Sequence, residues 1–402
     1  MLDHDRGQAG SPAEVFRAFL KLGLTSFGGP IAHLGYFRDE LVVRRRWLDE
    51  QSYGDLVALC QFLPGPASSQ VGFALGLRRA GPLGGLAAWT AFTLPSAILL
   101  IAFAASAAAL GGPIAQGVLH GLKLVAVAVV AQAVWGMSRG LTPDKPRAAI
   151  ALGALCLVSG LGGALGQIGA ILLGALAGLV LSRAEGQASD RAVGFAVSKR
   201  TGLVALAQFG GLLLGLPLLA SATASHGIDL VDAFYRAGSL VFGGGHVVLP
   251  LLESEVVARG WVTEDSFVAG YGAAQAVPGP LFTFAAYLGA VGAPSPDGVA
   301  GASLALLAIF LPGLLVLVGT LPFWDVLRRE PWAQAGMRGA NAAVVGVLAA
   351  ALYDPVWTSA VINPLDFALA ALGFFALVLW KAPPWSVVVG LAALSGLMAA
   401  AG

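Results

Sequence analysis

Charged side chains are the scarcest class in this chain. Asp, Glu, Lys and Arg make up 11% of its 402 residues, 57% are hydrophobic, and mean hydropathy is +0.81. Soluble domains carry about 25% charged residues, so a soluble protein is excluded and a polytopic protein of the lipid bilayer is indicated. The charges nearly cancel, 23 basic against 22 acidic, which leaves no basic surface of the kind that binds nucleic acid. Cysteine is nearly missing too. Cys60 and Cys156 both lie in apolar stretches, so neither a disulfide framework nor a cysteine metal cluster can be built, and both read as packing residues. Flavin and nicotinamide fingerprints, haem-attachment motifs and metal-ligand clusters are lacking, so no cofactor is expected and a redox enzyme has no machinery. The polar stretch Met1–Glu14, with Asp3, Asp5 and Arg6, has no apolar core leading to a cleavage site and does not read as a signal peptide.

Glycine, by contrast, is abundant at 55 residues, which favours close helix packing and broken helices. Much of the pattern around it occurs twice. Phe27-Gly28-Gly29-Pro30-Ile31-Ala32-His33-Leu34 is followed by Pro64-Gly65-Pro66, and Phe242-Gly243-Gly244-Gly245-His246 by Pro278-Gly279-Pro280. The offsets agree, 242 − 27 = 215 and 278 − 64 = 214. The flanks repeat as well: Phe19, Lys21 and Gly23 answer to Phe234, Arg236 and Gly238, and Leu34 and Glu40 to Leu249 and Glu255. After a slip of one residue, Trp47, Glu50, Ser52 and Gln61 answer to Trp261, Glu264, Ser266 and Gln275. The copies are not interchangeable, because Pro30 faces Gly245 and Ile31 faces His246.

Apolar stretches of roughly membrane-spanning length fall near 15–37, 54–77, 82–110, 113–137, 147–163 and 164–182 in the first half. The second half has them near 230–251, 267–291, 298–321, 332–353, 362–380 and 384–401, and one more lies between the halves at 201–220. The expected fold is an all-α polytopic membrane protein: a polar tail at 1–14, a first repeat at 15–200, a linker helix at 201–229 and a second repeat at 230–402. Six segments plus one linker make an odd number, so the second repeat enters the membrane from the opposite face, an inverted repeat of the secondary-transporter kind.

Charge distribution agrees with that topology. Arg78-Arg79, Arg139, Lys145, Arg147, Arg183, Arg191, Lys199, Arg200, Arg328-Arg329 and Lys381 fall on one side, cytoplasmic by the positive-inside rule, whereas loops 221–229, 292–297 and 354–363 carry no Lys or Arg. The N-terminus is then cytoplasmic and the C-terminus periplasmic. Arg44-Arg45-Arg46 obeys the rule only if the first two segments re-enter, bent at Gly28-Gly29-Pro30 and Pro64-Gly65-Pro66. Trp47, Trp261, Trp332 and Trp385 lie near segment ends and read as interfacial anchors.

Proline removes an amide donor and clashes with the carbonyl four residues back. Pro64, Pro66, Pro278 and Pro280 therefore free backbone carbonyls, while the glycine runs let the chain turn so that free N–H groups and positive helix ends face a cavity. Such ends hold oxyanions, and unpaired backbone at membrane depth is tolerated only inside protein or beside water.

The paired Phe-Gly-Gly-Pro and Pro-Gly-Pro motifs, one pair per half over nearly the whole chain, resemble the chromate ion transporter family in its long, two-domain form. The resemblance implies a bacterial inner-membrane protein that exports chromate, with sulfate as the analogous dianion, driven by the membrane gradient and conferring chromate resistance. The second copy departs from the pattern at Gly245-His246, which argues against a strictly symmetric site.

The expected substrate residues are Lys21, Phe27, Gly28, Gly29, Pro30, Gln61, Pro64, Gly65, Pro66 and Ser68 in the first half, and Arg236, Phe242, Gly243, Gly244, Gly245, His246, Gln275, Pro278, Gly279 and Pro280 in the second. Lys21 and Arg236 stand out because intramembrane charges are costly and usually functional; the plain alternative is snorkelling to the interface. Glu40, Glu255 and His33 are the candidates for proton coupling, against solvated loop carboxylates and a hydrogen-bonded helix histidine. Ser69 and Thr283 suit a polar cavity wall. An anion channel with the same filter chemistry is the competing function, separable by its inability to concentrate substrate. The partners expected are chromate and protons in a lipid bilayer, with a homodimer left open.

Overall fold

The computed structural model describes residues 10–27, 29–109, 112–161, 163–181, 197–242, 245–324 and 330–401. Gly28, Gly243, Gly244, Arg183, Arg191, Arg328 and Arg329 lie outside the described residues.

Each half begins with helices too short to cross a bilayer unaided. Helix α1 (Pro12–Thr25) starts with Pro12 behind Ser11, whose Oγ accepts from the Glu14 amide, and buries Val15, Ala18, Phe19, Leu22 and Gly23 along one stripe. Its 14 residues cover about 21 Å, against the roughly 30 Å of a hydrocarbon core. The chain turns extended at Ser26 and resumes as α2 (Gly29–Phe37), which runs into a π-helical stretch, Arg38–Arg44. Helix α3 (Glu50–Phe62) is capped by Asp49 and stops ahead of Pro64. Helix α4 (Ala67–Ala109) follows, kinked where Ala80 and Gly81 leave helical geometry.

The second half runs in parallel. Helix α9 (His226–Ser239) and α10 (Val248–Val256) flank the second glycine run, α11 (Glu264–Ala274) is capped by Thr263, and α12 (Phe284–Val291) and α13 (Gly298–Thr320) follow. The distal helices are α5 (Pro113–Leu141), α6 (Lys145–Leu161) and α7 (Gly163–Leu181) in the first half. Their counterparts are α14 (Pro331–Ala351), α15 (Pro364–Val378) and α16 (Pro384–Ala401). Helix α8 (Lys199–Ala222) joins the halves.

Among the described residues five stretches are long and apolar enough to cross a membrane: Ala67–Ser106, Pro113–Leu141, Lys199–Ala222, Gly298–Phe323 and Pro331–Ala360. Leu203, Leu214 and Leu218 of α8 are exposed, an apolar surface suited to lipid.

The halves are exchanged rather than adjacent. Helix α5 packs against α15 and α16 of the other half, and its counterpart α14 packs against α6 and α7. Close backbone approach makes both contacts. A Cβ on Gly121 of α5 would lie 2.6 Å from the Leu391 carbonyl oxygen, and one on the equivalent Gly339 of α14 would lie 2.1 Å from that of Gly174. This is small-residue packing, as membrane helices use in the absence of a hydrophobic drive between them. The main core accordingly mixes Leu124, Val125 and Val129 of α5 with Phe234, Leu249, Phe267 and Phe284.

Cys60 is buried in an apolar cluster that draws on both halves, but Cys156 is exposed on α6 and so does not pack. The apolar stretch that suggested burial there faces outward.

Candidate functional site

The four breaks come together across the two halves. The Gly65 amide donates to the Val241 carbonyl over 2.8 Å, and the Gly279 amide donates to the Ser26 carbonyl over 2.9 Å. These bonds are equivalent under the repeat, since 241 − 26 = 215 and 279 − 65 = 214. Each Pro-Gly-Pro turn thus holds the carbonyl just ahead of the other half's Phe-Gly-Gly. Both central glycines have positive φ, 117° at Gly65 and 105° at Gly279, a region that side chains disfavour.

The turns also abut the residue after a helix-interior proline in the opposite half. A Cβ on Gly65 would lie 2.8 Å from Gly313 Cα in α13, and one on Gly279 would lie 2.9 Å from Ser96 Oγ in α4. Pro95-Ser96 and Pro312-Gly313 are themselves repeat partners, at 312 − 95 = 217. Gly29, with φ 79°, faces the His246 ring, whose Nε2 would be 3.7 Å from a Cβ there, while His246 Nδ1 pairs with the Tyr271 hydroxyl at 2.7 Å.

Buried polar atoms without a hydrogen-bond partner gather on the segments that meet here. They include Ser26 Oγ, His33 Nε2, Ser69 Oγ, Thr93 Oγ1 and Gln275 Nε2. His33 lies against the Ser26 backbone and the Phe92 ring, and its Nδ1 is 3.4 Å from Ser68 Oγ. Buried polar groups are nearly always satisfied in native proteins, so a set left unpaired marks a place for a polar solute. All five can donate. Three of the five are one-sided: Ser26, His33 and Thr93 correspond to Val241, Val248 and Phe310 in the second half, whose side chains offer no polar atom.

Other residues expected at the site are placed as follows. Gln61 is exposed, Phe27, Pro30 and Phe242 are half-buried, and Pro66, Ser68, Pro278 and Pro280 are buried. Pro64 offers its carbonyl to Gln70 Nε2, and Thr283 Oγ1 donates to the Pro280 carbonyl. Gly245 begins a single 3-10 turn ahead of α10.

Lys21 and Arg236 each pair with the glutamate 19 residues on. Lys21 Nζ lies 2.7 Å from Glu40 Oε2, and Glu40 also holds Arg44 at 3.1 Å and Arg45 at 2.8 Å. Arg236 Nε lies 3.0 Å from Glu255 Oε1 and bonds Asp232, and Arg259 reaches Glu255 at 2.8 Å. Both glutamates are buried, at 6% and 4% exposure, not solvated. The clusters differ in charge: three cations against one carboxylate in the first half, two against two in the second. Trp47 stacks under Arg45 and Arg79, and Trp261 under Arg259, whereas Trp332 and Trp385 are exposed.

Sequence reading missed a polar seam on α5. His120 Nε2 pairs with Asp366 Oδ1 of α15 at 2.8 Å, and Lys123 Nζ donates to Asp265 at 2.7 Å and to the Ser359 carbonyl at 3.1 Å. A signal was present: Pro113, Ala115, Gln116, His120 and Gly121 align with Pro331, Ala333, Gln334, Arg338 and Gly339 at an offset of 338 − 120 = 218. The repeat therefore continues beyond the Pro-Gly-Pro motif.

The chromate transporter family matches residues 13–179 and again 228–397, one match in each half. A chromate transport protein of Pseudomonas aeruginosa is 29% identical over 94% of this chain and 90% of its own length. A probable chromate transport protein of Synechococcus elongatus is 28% identical over 96% of the chain and 95% of its own length. One from Cupriavidus metallidurans is 28% identical, covering 95% and 91%. No solved structure matches the chain.

Proposed function

Because the chain belongs to the chromate transporter family, we propose that it is a secondary transporter exporting chromate across the bacterial inner membrane in exchange for protons, with sulfate as the analogous dianion. On this reading it confers chromate resistance, its halves are antiparallel, and its N- and C-termini lie in the cytoplasm and periplasm. The observation that carries the reading is the crossed pair Gly65–Val241 and Gly279–Ser26. It brings both Pro-Gly-Pro turns and the residues just ahead of both Phe-Gly-Gly runs together, beside the unpaired donors of Ser26, His33, Ser69 and Thr93.

A dianion inside protein needs donors and charge, because uncompensated burial costs many kcal/mol. Hydroxyl, imidazole and amide hydrogens supply the donors, and the first-half cluster of Lys21, Arg44 and Arg45 around Glu40 supplies an excess of two positive charges, equal to the substrate's negative ones. We place the substrate on the first-half side of the crossing, with His246 opposite. Arg236, neutralised within its own cluster, then supports the second hairpin.

The test is uptake of labelled chromate into inverted vesicles under imposed pH gradients. Accumulation above the external concentration, competed by sulfate and abolished by a protonophore, is expected. Equilibration without accumulation means a channel, and no uptake at all overturns the chromate reading.

A further inference from the structure

We propose that His120 and Asp366 bind the coupling proton and translate its presence into the strength of the contact between the halves. The inference rests on the proton-coupled reading above. A proton that drives exchange must alter how one half sits on the other. The Lys21–Glu40 and Arg236–Glu255 clusters each close within a single half. His120–Asp366 joins α5 of the first half to α15 of the second.

Asp366 is 5% exposed, and its Oδ2 accepts from the amides of Ile362 and Asn363, which fixes Oδ1 toward the imidazole. With a carboxylate as acceptor, His120 Nε2 carries the hydrogen and Nδ1 is the basic nitrogen. The side chain is 27% exposed, so the imidazole is not sealed inside the protein. Binding is one proton from hydronium to Nδ1, giving an imidazolium, and release is the reverse. A hydrogen bond with one charged partner then becomes an imidazolium–carboxylate ion pair, which adds the attraction between opposite charges, and α5 is drawn to α15 when the proton is aboard.

The surroundings are defined. Lys123 lies one turn along α5, bonded to Asp265 and the Ser359 carbonyl. The other elements packed on α5 carry Glu264, Asp265 and Tyr271 on α11, Tyr353 and Asp354 in the segment after α14, and Arg338 on α14, while α16 has no titratable side chain. Arg338 is the repeat partner of His120. A guanidinium keeps its charge, so the exchanged interface on α14 is permanently cationic at this position, and only the one on α5 responds to protons.

Two measurements test this, using His120→Gln, which keeps a donor for Asp366 but cannot titrate, and Asp366→Asn, which keeps the shape of the acceptor. In inverted vesicles the wild-type chromate rate should change at least threefold between about pH 5 and pH 8, and by less than about half that in either variant. In detergent, backbone amide exchange across residues 362–378, corrected for its intrinsic pH dependence, should slow as pH falls in the wild type and stay constant in His120→Gln. A merely structural role would change protection equally at every pH. A wild-type pH profile retained by His120→Gln overturns the proposal, as does wild-type exchange without pH dependence. If the wild type carries no chromate, the transport reading fails, and the exchange measurement alone decides the role of the pair.

Discussion

Replacing Gly279 by Ala tests whether the crossed turns hold the halves together. Its φ of 105° is a backbone region that costs a residue with a Cβ about 1–3 kcal/mol. The new methyl would sit 2.9 Å from Ser96 Oγ and 3.1 Å from the Phe92 carbonyl oxygen. The hydroxyl can rotate away, but the carbonyl belongs to α4 and cannot, so overpacking adds about 1–3 kcal/mol. If the turn withdraws instead, it gives up the bond to Ser26, worth about 0.5–1.5 kcal/mol. The chain takes the cheaper route, and a net loss of about 2–4 kcal/mol is expected. Detergent-mixed-micelle unfolding followed by circular dichroism measures it. Ser96→Gly in the same background removes the nearest atom and should return about 1 kcal/mol, a coupling that distant sites do not show. Gly54→Ala is the control: a Cβ there meets nothing within 4 Å, and the change should be neutral or stabilising by up to about 1 kcal/mol. If Gly279→Ala unfolds with the wild type, the crossing is incidental and the site argument falls with it.

Removing the repeat-related cations should have unequal effects. Lys21→Ala leaves Glu40 with Arg44 and Arg45 and should cost under about 1 kcal/mol, whereas Arg236→Ala leaves buried Asp232 and Glu255 with Arg259 alone and should cost about 3–5 kcal/mol; equal losses in thermal unfolding would refute the charge count. Lys21→Ala should nonetheless slow chromate transport at matched expression. Ser26→Ala and Thr93→Val delete unpaired buried hydroxyls, so stability should hold or rise by about 1 kcal/mol while the KM for chromate increases; an unchanged KM would place the substrate elsewhere. Single cysteines at Ser52 and Ser266, in a background lacking Cys60 and the exposed Cys156, should react with an impermeant maleimide from opposite membrane faces. Labelling from one face would rule out antiparallel halves.

Much of the plan was legible because the chain states it twice. Composition gave the membrane class, and the offset of 215 between Phe27 and Phe242 exposed the duplication without knowledge of any contact. What the repeat could not reveal is which copy touches which. Gly65 donates to Val241 and not to Ser26, and a one-dimensional pattern is silent about exchange between halves. The ionic pairings were hidden for a related reason. Taken singly, Lys21 reads as a substrate cation and Glu40 as a coupling acid, yet their shared spacing of 19 with Arg236 and Glu255 is what one hairpin closed twice looks like. His120 escaped because its partner lies 246 residues away and its repeat counterpart is an arginine, so chemical identity did not mark the match.

The exchange of distal helices bears on how the protein is made. Gly117 and Gly121 of α5 are shaped to receive the backbone of α16 at Ser395 and Leu391, a contact spanning 395 − 117 = 278 residues. During synthesis the first half therefore enters the bilayer with this groove facing lipid, and it stays so until the other half has been translated and inserted. Chaperoning by the membrane, and not local folding, governs that interval. A ribosome stalled within α15 would release a chain whose exposed glycine groove flags it for quality control. A single half could close its groove only on a second copy of itself, reproducing as a dimer what the long chain achieves by duplication.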